Sequence, residues 1–250
     1  RMAPDLCYYY TRTAVPFASR TQAMSLEENA DMISFDRTPE DGKYKFDDLY
    51  EVIRLLRSPG GCPWDRVQTH RTLITPMVEE AYELVDAIEK ERDDKLVEEL
   101  GDVLLQVIFH TIIGAEEGKF TFDDVTDRCT RKMLFRHSHV FGEDTAANAG
   151  EALENWEKRK TNEKGFDSLE QKLRDIPRNY PALYKAYKAA SKIRKDAEAR
   201  GGSVETADVP DSEEELGKQL YEIVRAAEAK GLNPETALRR YVDREIIKAD

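Results

Sequence analysis

Hydrophobic residues recur at helical spacing along most of this chain. After Thr75, apolar side chains occupy positions i, i+3, i+4 and i+7: Ala81, Leu84, Val85 and Ile88. This spacing places them on one face of an α-helix. Strand-like alternation of apolar and polar residues is absent from the sequence, and Gly and Pro are scarce, with 13 and 10 among 250 residues. The pattern therefore predicts an all-α protein built as a helical bundle.

Breaks in the apolar pattern mark where helices begin and end. The Gly- and Pro-rich segment Ser58–Trp64 ends a first helix. Thr75 and Pro76 match an N-cap and a first helical residue, so the next helix should begin there. A short polar turn separates it from a helix that runs from about Asp94 to Ile113. That helix is apolar nearly all round from Val103 onward, so we expect it to be buried.

Two pairs of acidic residues lie within these apolar helices at a spacing of three: Glu80 with Glu83, and Glu99 with Asp102. Residues three apart project from the same side of a helix. If the two helices pair antiparallel, all four carboxylates face one point. Two carboxylates about 5 Å apart repel by about 3 kcal/mol at an effective dielectric of roughly 20, so the group needs a counter-charge.

Magnesium is the cation that best fits this group, because it is hard and prefers oxygen ligands. The four acids include no His or Cys, which argues against Zn²⁺, and no Glu-x-x-His motif, which argues against a di-iron bundle. The sequence predicts a Mg²⁺ site, with Mn²⁺ as an alternative ion. Asp102 shares its face with Leu105 and Phe109 and should be the acid least able to reach water. The alternative is a solvated acidic face, since 35% of the residues are charged.

Composition narrows the class of partner and compartment. The chain carries 50 acidic against 38 basic residues, a net charge of −12, which disfavours binding to nucleic acid polymers. No apolar run reaches membrane-spanning length, and no signal-peptide pattern is visible. Three cysteines, Cys7, Cys62 and Cys129, form no Cys-x-x-Cys motif. These features favour a reduced cytoplasm and no membrane partner.

A weak internal repeat divides the chain. The segment Glu98–Asp102 recurs as Glu214–Lys218, with a lysine at the position of Asp102. A positive charge at that position opposes metal binding, so we infer that the second copy kept its packing role and lost its metal. Three regions are predicted: an N-terminal extension or linker over 1–43, a catalytic helical domain over 44–166, and a degenerate second helical region over 167–250.

Five motifs follow one another in order: GGCPWD at Gly60–Asp65, EExxE at Glu79–Glu83, ExxD at Glu99–Asp102, RHSHVF at Arg136–Phe141 and WxxxK at Trp156–Lys160. Together they resemble the MazG family of all-α nucleoside triphosphate pyrophosphohydrolases. The resemblance implies a MazG-like bundle that hydrolyses a nucleoside triphosphate to the monophosphate and pyrophosphate, working as a homodimer. Ser138 stands where the family usually has Pro, and Phe135 where it often has a second Arg.

Residues around the predicted metal site are candidates for roles in the same chemistry. Glu79 is the predicted catalytic residue, orienting or deprotonating the attacking water, with Glu98 as its rival. Predicted substrate contacts are Lys132, Arg136 and Lys160 with the phosphates, and Trp64 with the base. A solvated basic face is the alternative for Lys132, and core packing is the alternative for Trp64. His137 and His139 flank a turn and are interpreted as structural or substrate-edge residues.

The predicted function is Mg²⁺-dependent triphosphate pyrophosphohydrolysis in nucleotide house-cleaning or control of the nucleotide pool. One alternative is a non-catalytic helical module that binds nucleotides or a partner protein, since the second copy has lost its acids. Another is hydrolysis of a different pyrophosphate-containing metabolite. Release of pyrophosphate from a panel of triphosphates separates these readings.

Overall fold

The computed structural model describes residues 33–35, 38–39 and 41–248, and within them the chain forms eleven α-helices and no strand. The all-α prediction is confirmed. Most of the predicted extension over 1–43, including Cys7, lies outside the described residues. The helices are α1 (Phe46–Arg57), α2 (Pro63–Arg66), α3 (Ile74–Glu89), α4 (Asp93–Glu116), α5 (Phe122–Arg136), α6 (Ser138–Phe141), α7 (Ala149–Lys164), α8 (Leu169–Arg174), α9 (Ala182–Ala199), α10 (Glu213–Glu228) and α11 (Pro234–Lys248).

Contacts between the described residues divide the chain into two compact units, a first that ends at Thr126 and a second that begins at Asp127. This division falls inside α5, and the predicted domain boundaries at 43 and 166 stay predictions. In the first unit α3 packs along α4, and α1 packs against both α2 and α4. The buried core of this unit is formed by Ile53, Leu73, Ile108, Phe109, Ile112 and Ile113.

Helix α3 begins two residues earlier than the sequence indicated, at Ile74 rather than Pro76. Its cap residue is Leu73, whose carbonyl accepts a hydrogen bond from the Met77 amide at 3.1 Å. The prediction of Thr75 as the N-cap is therefore wrong. Leu73 is only 1% exposed, so its burial in the core fixes the start of the helix. Pro76 lies in the first turn, where its missing N–H leaves no hydrogen bond unmade.

Helix α4 is buried over only part of the length that the sequence predicted. From Ile108 to Ile113 its apolar side chains enter the core, where they meet Ile53 of α1. Leu104 remains 37% exposed and Leu100 51% exposed. The expectation of burial from Val103 onward is thus correct only for the C-terminal half. The reason is that α1 supplies its core contacts to that half of the helix.

The second unit has a core of its own, formed where α8, α9 and α11 pack together and comprising Leu173, Ile176, Ala189, Val242 and Ile246. Lys185 of α9 is 2% exposed and forms a short ion pair with Asp243 of α11. Pairing offsets the cost of burying the ammonium group. This pair and the apolar core hold α9 and α11 together.

The two helices that carry the predicted repeat, α4 and α10, end in similar local geometry. Gly118 and Gly231 adopt φ angles of 66° and 67°. After each glycine the next amide bonds back five residues, Lys119 to Gly114 and Leu232 to Ala227, both at 2.9 Å. However, α10 buries no residue, whereas α4 buries eight. The expected common packing role is therefore not seen in α10.

Among the described residues, no helix combines the length and apolar character that crossing a bilayer requires.

Candidate active site

The α3–α4 hairpin positions the acidic residues. Its turn is closed by hydrogen bonds from the Lys90 amide to the Asp86 carbonyl at 3.0 Å and from the Arg92 amide to the Ala87 carbonyl at 3.1 Å. Glu91 takes the left-handed conformation, with φ 51°, that the tight reversal requires. The short connection makes the two helices antiparallel neighbours.

Three glutamates meet across this hairpin. Carboxylate oxygens of Glu80, Glu83 and Glu99 all lie within 4.8 Å of one another. Glu99 is buried, Glu80 is half-buried and Glu83 is exposed, so the group opens to solvent on one side. Three of the four acids predicted from the i, i+3 spacing therefore converge, and the antiparallel arrangement of α3 and α4 is the reason.

The pKa shifts of Glu80 and Glu99 reflect repulsion between carboxylates on the two antiparallel helices. Burial raises the pKa of Glu80, and the strongest repulsion that adds to it comes from Asp102. Burial also raises the pKa of Glu99, with the strongest repulsion from Glu83. Glu80 is thus coupled most strongly to Asp102, and Glu99 to Glu83. Both shifts disfavour the charged form, as expected for a concentration of negative charge without a cation.

The group fits a hard divalent cation. Within the described part of the chain, no Lys, Arg or His nitrogen lies within 4.0 Å of the carboxylates of Glu80, Glu83, Glu99 or Asp102. All donors are oxygen atoms, the ligands that Mg²⁺ and Mn²⁺ prefer over softer metals. A cation placed here would relieve the repulsion that raises the two pKa values.

Asp102 occupies a different place from the one expected. It is half-buried, whereas Glu99 is only 6% exposed, so the prediction that Asp102 is the acid least able to reach water is wrong. The prediction rested on the apolar neighbours of Asp102 within α4. The packing of α3 against α4 instead buries Glu99 more deeply. Asp102 also lies outside the group of three, although it is close enough to raise the pKa of Glu80 and Glu99.

The two candidates for a water-activating acid differ in their surroundings. Glu79 is exposed on α3 and adds to the repulsion on Glu80. Glu98 is exposed on α4 and accepts a hydrogen bond from the Lys95 ammonium at 2.5 Å. The salt bridge occupies Glu98, so Glu79 remains the stronger candidate.

A cleft of about 340 Å³ adjoins the three glutamates on the side of the hairpin turn. Among the residues that line it are Tyr82, Glu83 and Asp86 of α3, and Arg92, Lys95 and Glu99 of α4. Sequence reasoning treated the region between the helices only as a polar turn and missed its two cations. The available signal was a basic residue at each of two positions three apart, Arg92 and Lys95, just before the second acid pair.

Trp64 lies on α2 in the same unit and is 60% exposed, so the alternative of core packing does not describe it. The short segment that contains α2 is held in place by Arg57, which is buried. The Arg57 guanidinium donates to the carbonyls of Asp65 and Gln68 at 2.5 and 3.1 Å, and to the carboxylate of Glu116 at 2.6 and 3.0 Å. Trp64 is therefore an exposed aromatic ring on a segment that Arg57 anchors to the rest of the first unit.

The other predicted substrate contacts lie in the second unit. Arg136 is 8% exposed, donates from Nε to Glu163 at 2.7 Å and places its guanidinium 5.1 Å from the Trp156 ring centroid. Lys132 is half-buried one turn earlier on α5, and Lys160 lies 3.7 Å from Glu157 on α7. Arg136 is thus held by an ion pair with Glu163 and by the Trp156 ring. The sequence predicted neither contact.

The residues after Arg136 form a compact polar corner. His137 Nδ1 lies 2.7 Å from the Met133 carbonyl, and its ring meets the Trp156 ring edge-on at 4.8 Å. The Ser138 hydroxyl donates to Asp144, which also accepts from Arg159 Nη2 at 2.7 Å. Here Ser makes a hydrogen bond that Pro cannot make. These contacts agree with the structural role predicted for His137.

Comparison with known proteins gives the same family as the motifs. The family model of the MazG nucleotide pyrophosphohydrolase domain matches residues 68–141, which include all four predicted metal ligands. A nucleoside triphosphate pyrophosphohydrolase/pyrophosphatase MazG from Thermotoga maritima is 39% identical over 209 residues, 78% of this chain and 80% of the relative. A nucleoside triphosphate pyrophosphohydrolase from Escherichia coli K12 is 36% identical over 219 residues, 78% of this chain and 82% of the relative.

Similarity also extends to a longer protein. YabN of Bacillus subtilis is 47% identical over 146 residues, and the match spans 58% of this chain but 29% of the relative. The chain thus spans less than a third of that relative's length and about four-fifths of the Thermotoga and Escherichia proteins. On the motifs, the all-α fold and these similarities, the chain belongs to the MazG family of nucleotide pyrophosphohydrolases.

Proposed function

We propose that this protein hydrolyses nucleoside triphosphates to the nucleoside monophosphate and pyrophosphate in a Mg²⁺-dependent reaction. The observation that carries the proposal is the convergence of Glu80, Glu83 and Glu99, with oxygen atoms within 4.8 Å. A negatively charged triphosphate cannot approach such a group without a cation between them. The activity for which the Thermotoga and Escherichia relatives are named supports the same reaction.

Glu80, Glu83, Glu99 and Asp102 would hold the ion, and the alternative ion is Mn²⁺. A bound divalent cation supplies charge neutralisation and lowers the pKa of a coordinated water. Glu79 would orient the attacking water and accept its proton. The water oxygen forms a bond to the α-phosphorus, and the bond from that phosphorus to the α,β-bridging oxygen breaks. Pyrophosphate leaves with that electron pair.

Lys132, Arg136 and Lys160 are proposed phosphate contacts, and Trp64 is a proposed contact with the base. Trp64 is 60% exposed and can stack on a base without rearranging a core. Arg136 already pairs with Glu163, so binding a phosphate would require it to share or exchange that partner. We therefore expect Arg136 to contribute less to phosphate binding than Lys132, which is half-buried.

A homodimer accounts for an apolar face that the first unit leaves exposed. On α3 the exposed side chains include Val78, Tyr82, Val85 and Ile88, and on α4 they include Val97, Leu100 and Leu104. Helical spacing places most of these side chains on one side of each helix, and exposed apolar surface of this kind marks an interaction site. Because helical hairpins commonly bury such faces in a four-helix arrangement, a second copy is the proposed occupant. Light scattering coupled to size-exclusion chromatography measures the oligomeric state.

The proposed setting is the cytoplasm, where the enzyme would remove unwanted nucleotides or control the pool. Cys62 and Cys129 are free thiols, which suits a reducing compartment. A non-catalytic nucleotide-binding module is the competing proposal. It predicts binding of triphosphates with Mg²⁺ or Mn²⁺ without turnover.

The decisive experiment follows hydrolysis of a panel of standard, deoxy and modified triphosphates in ¹⁸O-labelled water. We expect stoichiometric pyrophosphate, with the label in the monophosphate, because water attacks the α-phosphorus. Glu83→Gln and Asp102→Asn should abolish turnover while the circular dichroism of the helices is retained. Release of inorganic phosphate, or label in the pyrophosphate, would defeat the mechanism.

A further inference from the structure

Gln106 is a buried polar residue of α4 whose side-chain oxygen has no hydrogen-bond donor. The residue is only 6% exposed, and within the described part of the chain its Oε1 atom has no hydrogen-bond partner. Thr111, buried further along the same helix, donates its hydroxyl to the Ile108 carbonyl at 2.8 Å. Most buried acceptors are paired in this way, because an unpaired one destabilises the fold. The unpaired oxygen of Gln106 therefore calls for a donor.

The position of Gln106 on α4 places it beside the candidate metal centre. It follows Asp102 by four residues and Glu99 by seven, and these spacings put all three side chains on one face of the helix. Gln106 and Asp102 are about 6 Å apart along the helix axis. Side chains in a helix lean toward its N-terminus, and both acids lie on that side of Gln106. The amide of Gln106 therefore leans toward the acidic group.

Gln68, a second buried glutamine of the first unit, has a partner at both ends of its amide. It is 8% exposed, its Nε2 donates to the Trp64 carbonyl at 2.9 Å, and its Oε1 accepts from the Thr72 hydroxyl at 2.8 Å. Gln106 is buried to the same degree, but the described residues supply no donor to its Oε1. A bound ligand or a water is the remaining source of that donor.

A water held by the metal ion is the donor that the chemistry of the site favours. Mg²⁺ keeps several of its waters when carboxylates bind it, and the ion makes those waters more acidic and hence better donors. Groups outside the ligands orient them through hydrogen bonds, and their loss weakens metal binding. An amide oxygen also adds an acceptor without adding negative charge to three carboxylates that lie within 4.8 Å of one another.

We propose that Gln106 is a positioning residue of the metal centre, and that its Oε1 accepts a hydrogen bond from a water on the bound divalent cation. This assignment rests on the metal dependence of the proposed function, but it does not require turnover. It adds to the site a residue that lies outside all five sequence motifs. The unpaired oxygen destabilises the metal-free fold and gains its donor when the ion binds. Gln106 thus lowers the stability of the metal-free protein and raises its affinity for the ion.

Titration with Mn²⁺ in the absence of nucleotide tests this assignment, with free Mn²⁺ followed by electron paramagnetic resonance. Gln106→Met keeps a flexible side chain of similar length but removes the amide, and it should weaken Mn²⁺ binding about 10- to 100-fold. The same variant should raise the Tm of the metal-free protein, because a buried acceptor without a donor is removed. Gln106→Glu retains an acceptor and should bind Mn²⁺ at least as tightly as the wild type. Gln106→Leu provides the same comparison if Gln106→Met does not fold.

Gln68→Met is the matched control, because it removes an equally buried amide whose two hydrogen bonds lie within the fold. It should lower the Tm and leave Mn²⁺ affinity unchanged. Unchanged Mn²⁺ affinity in Gln106→Met, or an equal loss in both variants, would overturn the assignment. Pyrophosphate release is measured separately: a wild type that binds Mn²⁺ without turnover defeats the proposed function and leaves the Gln106 comparison intact. A wild type that binds no Mn²⁺ defeats both.

Discussion

The imidazole rings of His70 and His110 lie face to face, with their Nδ1 atoms 2.8 Å apart and their planes 8° from parallel. One ring must donate and the other accept in this hydrogen bond, so the contact requires an unprotonated Nδ1. Phe120 stacks on His70, and Glu117 lies 3.7 Å from His70 Nε2 while pairing with Lys119. The pair connects the segment before α3 to the C-terminal half of α4.

Acidification should weaken the first unit through this pair. Burial, and next the neighbouring His70, lower the pKa of His110 below its ordinary value of 6.5. A group whose pKa is lowered in the folded state stabilises the fold above the unfolded pKa and loses that contribution as the pH falls. Protonation of both rings also removes their hydrogen bond, worth about 1 kcal/mol. Urea unfolding of metal-free protein, from about pH 7.5 to about pH 5, measures the loss.

A matched variant is needed because protonation of the acidic group changes the stability of the metal-free fold in the opposite direction. The raised pKa values of Glu80 and Glu99 make the metal-free fold gain stability as the pH falls through them. His110→Gln retains a hydrogen-bonding group but does not titrate. We expect the wild type to lose more stability than this variant between the two pH values. Parallel curves would show that the histidine pair has no part in the pH dependence.

Removing one buried charge should stabilise the metal-free protein and abolish its response to Mg²⁺. Glu99 is 6% exposed and repelled by its neighbours, so Glu99→Gln relieves repulsion when no cation is present. We expect the metal-free Tm to rise by a few degrees and the Mg²⁺-induced increase to disappear. Pyrophosphate release should fall at least about 100-fold, more than for loss of an outer-shell partner. Calorimetry with and without Mg²⁺ measures both changes.

Glu89→Gln is the control for this variant, because Glu89 is an exposed acid at the end of the same hairpin helix α3. It should change the Tm, the Mg²⁺ response and the activity little. If Glu99→Gln lowered the metal-free Tm instead, the buried carboxylate would be serving packing rather than metal binding.

The acid pairs were predictable because their signal is local. A spacing of three places Glu80 with Glu83, and an apolar helix predicts the hairpin that brings Glu99 to them. The contacts that sequence reasoning missed join residues far apart in the chain: Arg57 meets Glu116 across 59 residues and His70 meets His110 across 40. The burial of Glu99 likewise depends on α3 rather than on its own helix. Such contacts follow from tertiary packing, which periodicity does not encode.

Arg57 should be the most sensitive polar position of the first unit. Its guanidinium satisfies the Asp65 and Gln68 carbonyls and the Glu116 carboxylate together. Arg57→Ala removes the donor from the two carbonyls and the carboxylate and should cost about 1–3 kcal/mol, the penalty for buried polar groups left unsatisfied. Arg57→Lys should recover only part of this loss, because an ammonium cannot reproduce the planar fork. Urea unfolding measures the free energies.

Arg54 offers a close control one helical turn away. It makes two hydrogen bonds to Glu51, at 2.6 and 2.7 Å, but its side chain is 53% exposed. Arg54→Ala should cost less than about 1 kcal/mol, as exposed ion pairs do. Similar losses for Arg54→Ala and Arg57→Ala would contradict the anchoring role of Arg57.

Ser138 allows a direct comparison between this chain and the usual residue of its family. Its hydroxyl donates to Asp144, and this bond, followed by the bond from Arg159, lowers the pKa of that carboxyl. Ser138→Ala removes the bond and should lower the Tm by a few degrees, most clearly at neutral pH where Asp144 is charged. The exposed loop variant Ser203→Ala should leave the Tm unchanged.

Ser138→Pro should be less damaging than Ser138→Ala. Ser138 is the first residue of α6, where the φ of proline suits a helix and no N–H is needed. Both variants lose the bond to Asp144, but proline also restricts the unfolded chain, which contributes about 0.4–1 kcal/mol of stability. Thermal unfolding of the two variants side by side measures the difference. If the proline variant were the less stable one, the backbone at His137 and Ser138 would be incompatible with the family's usual residue.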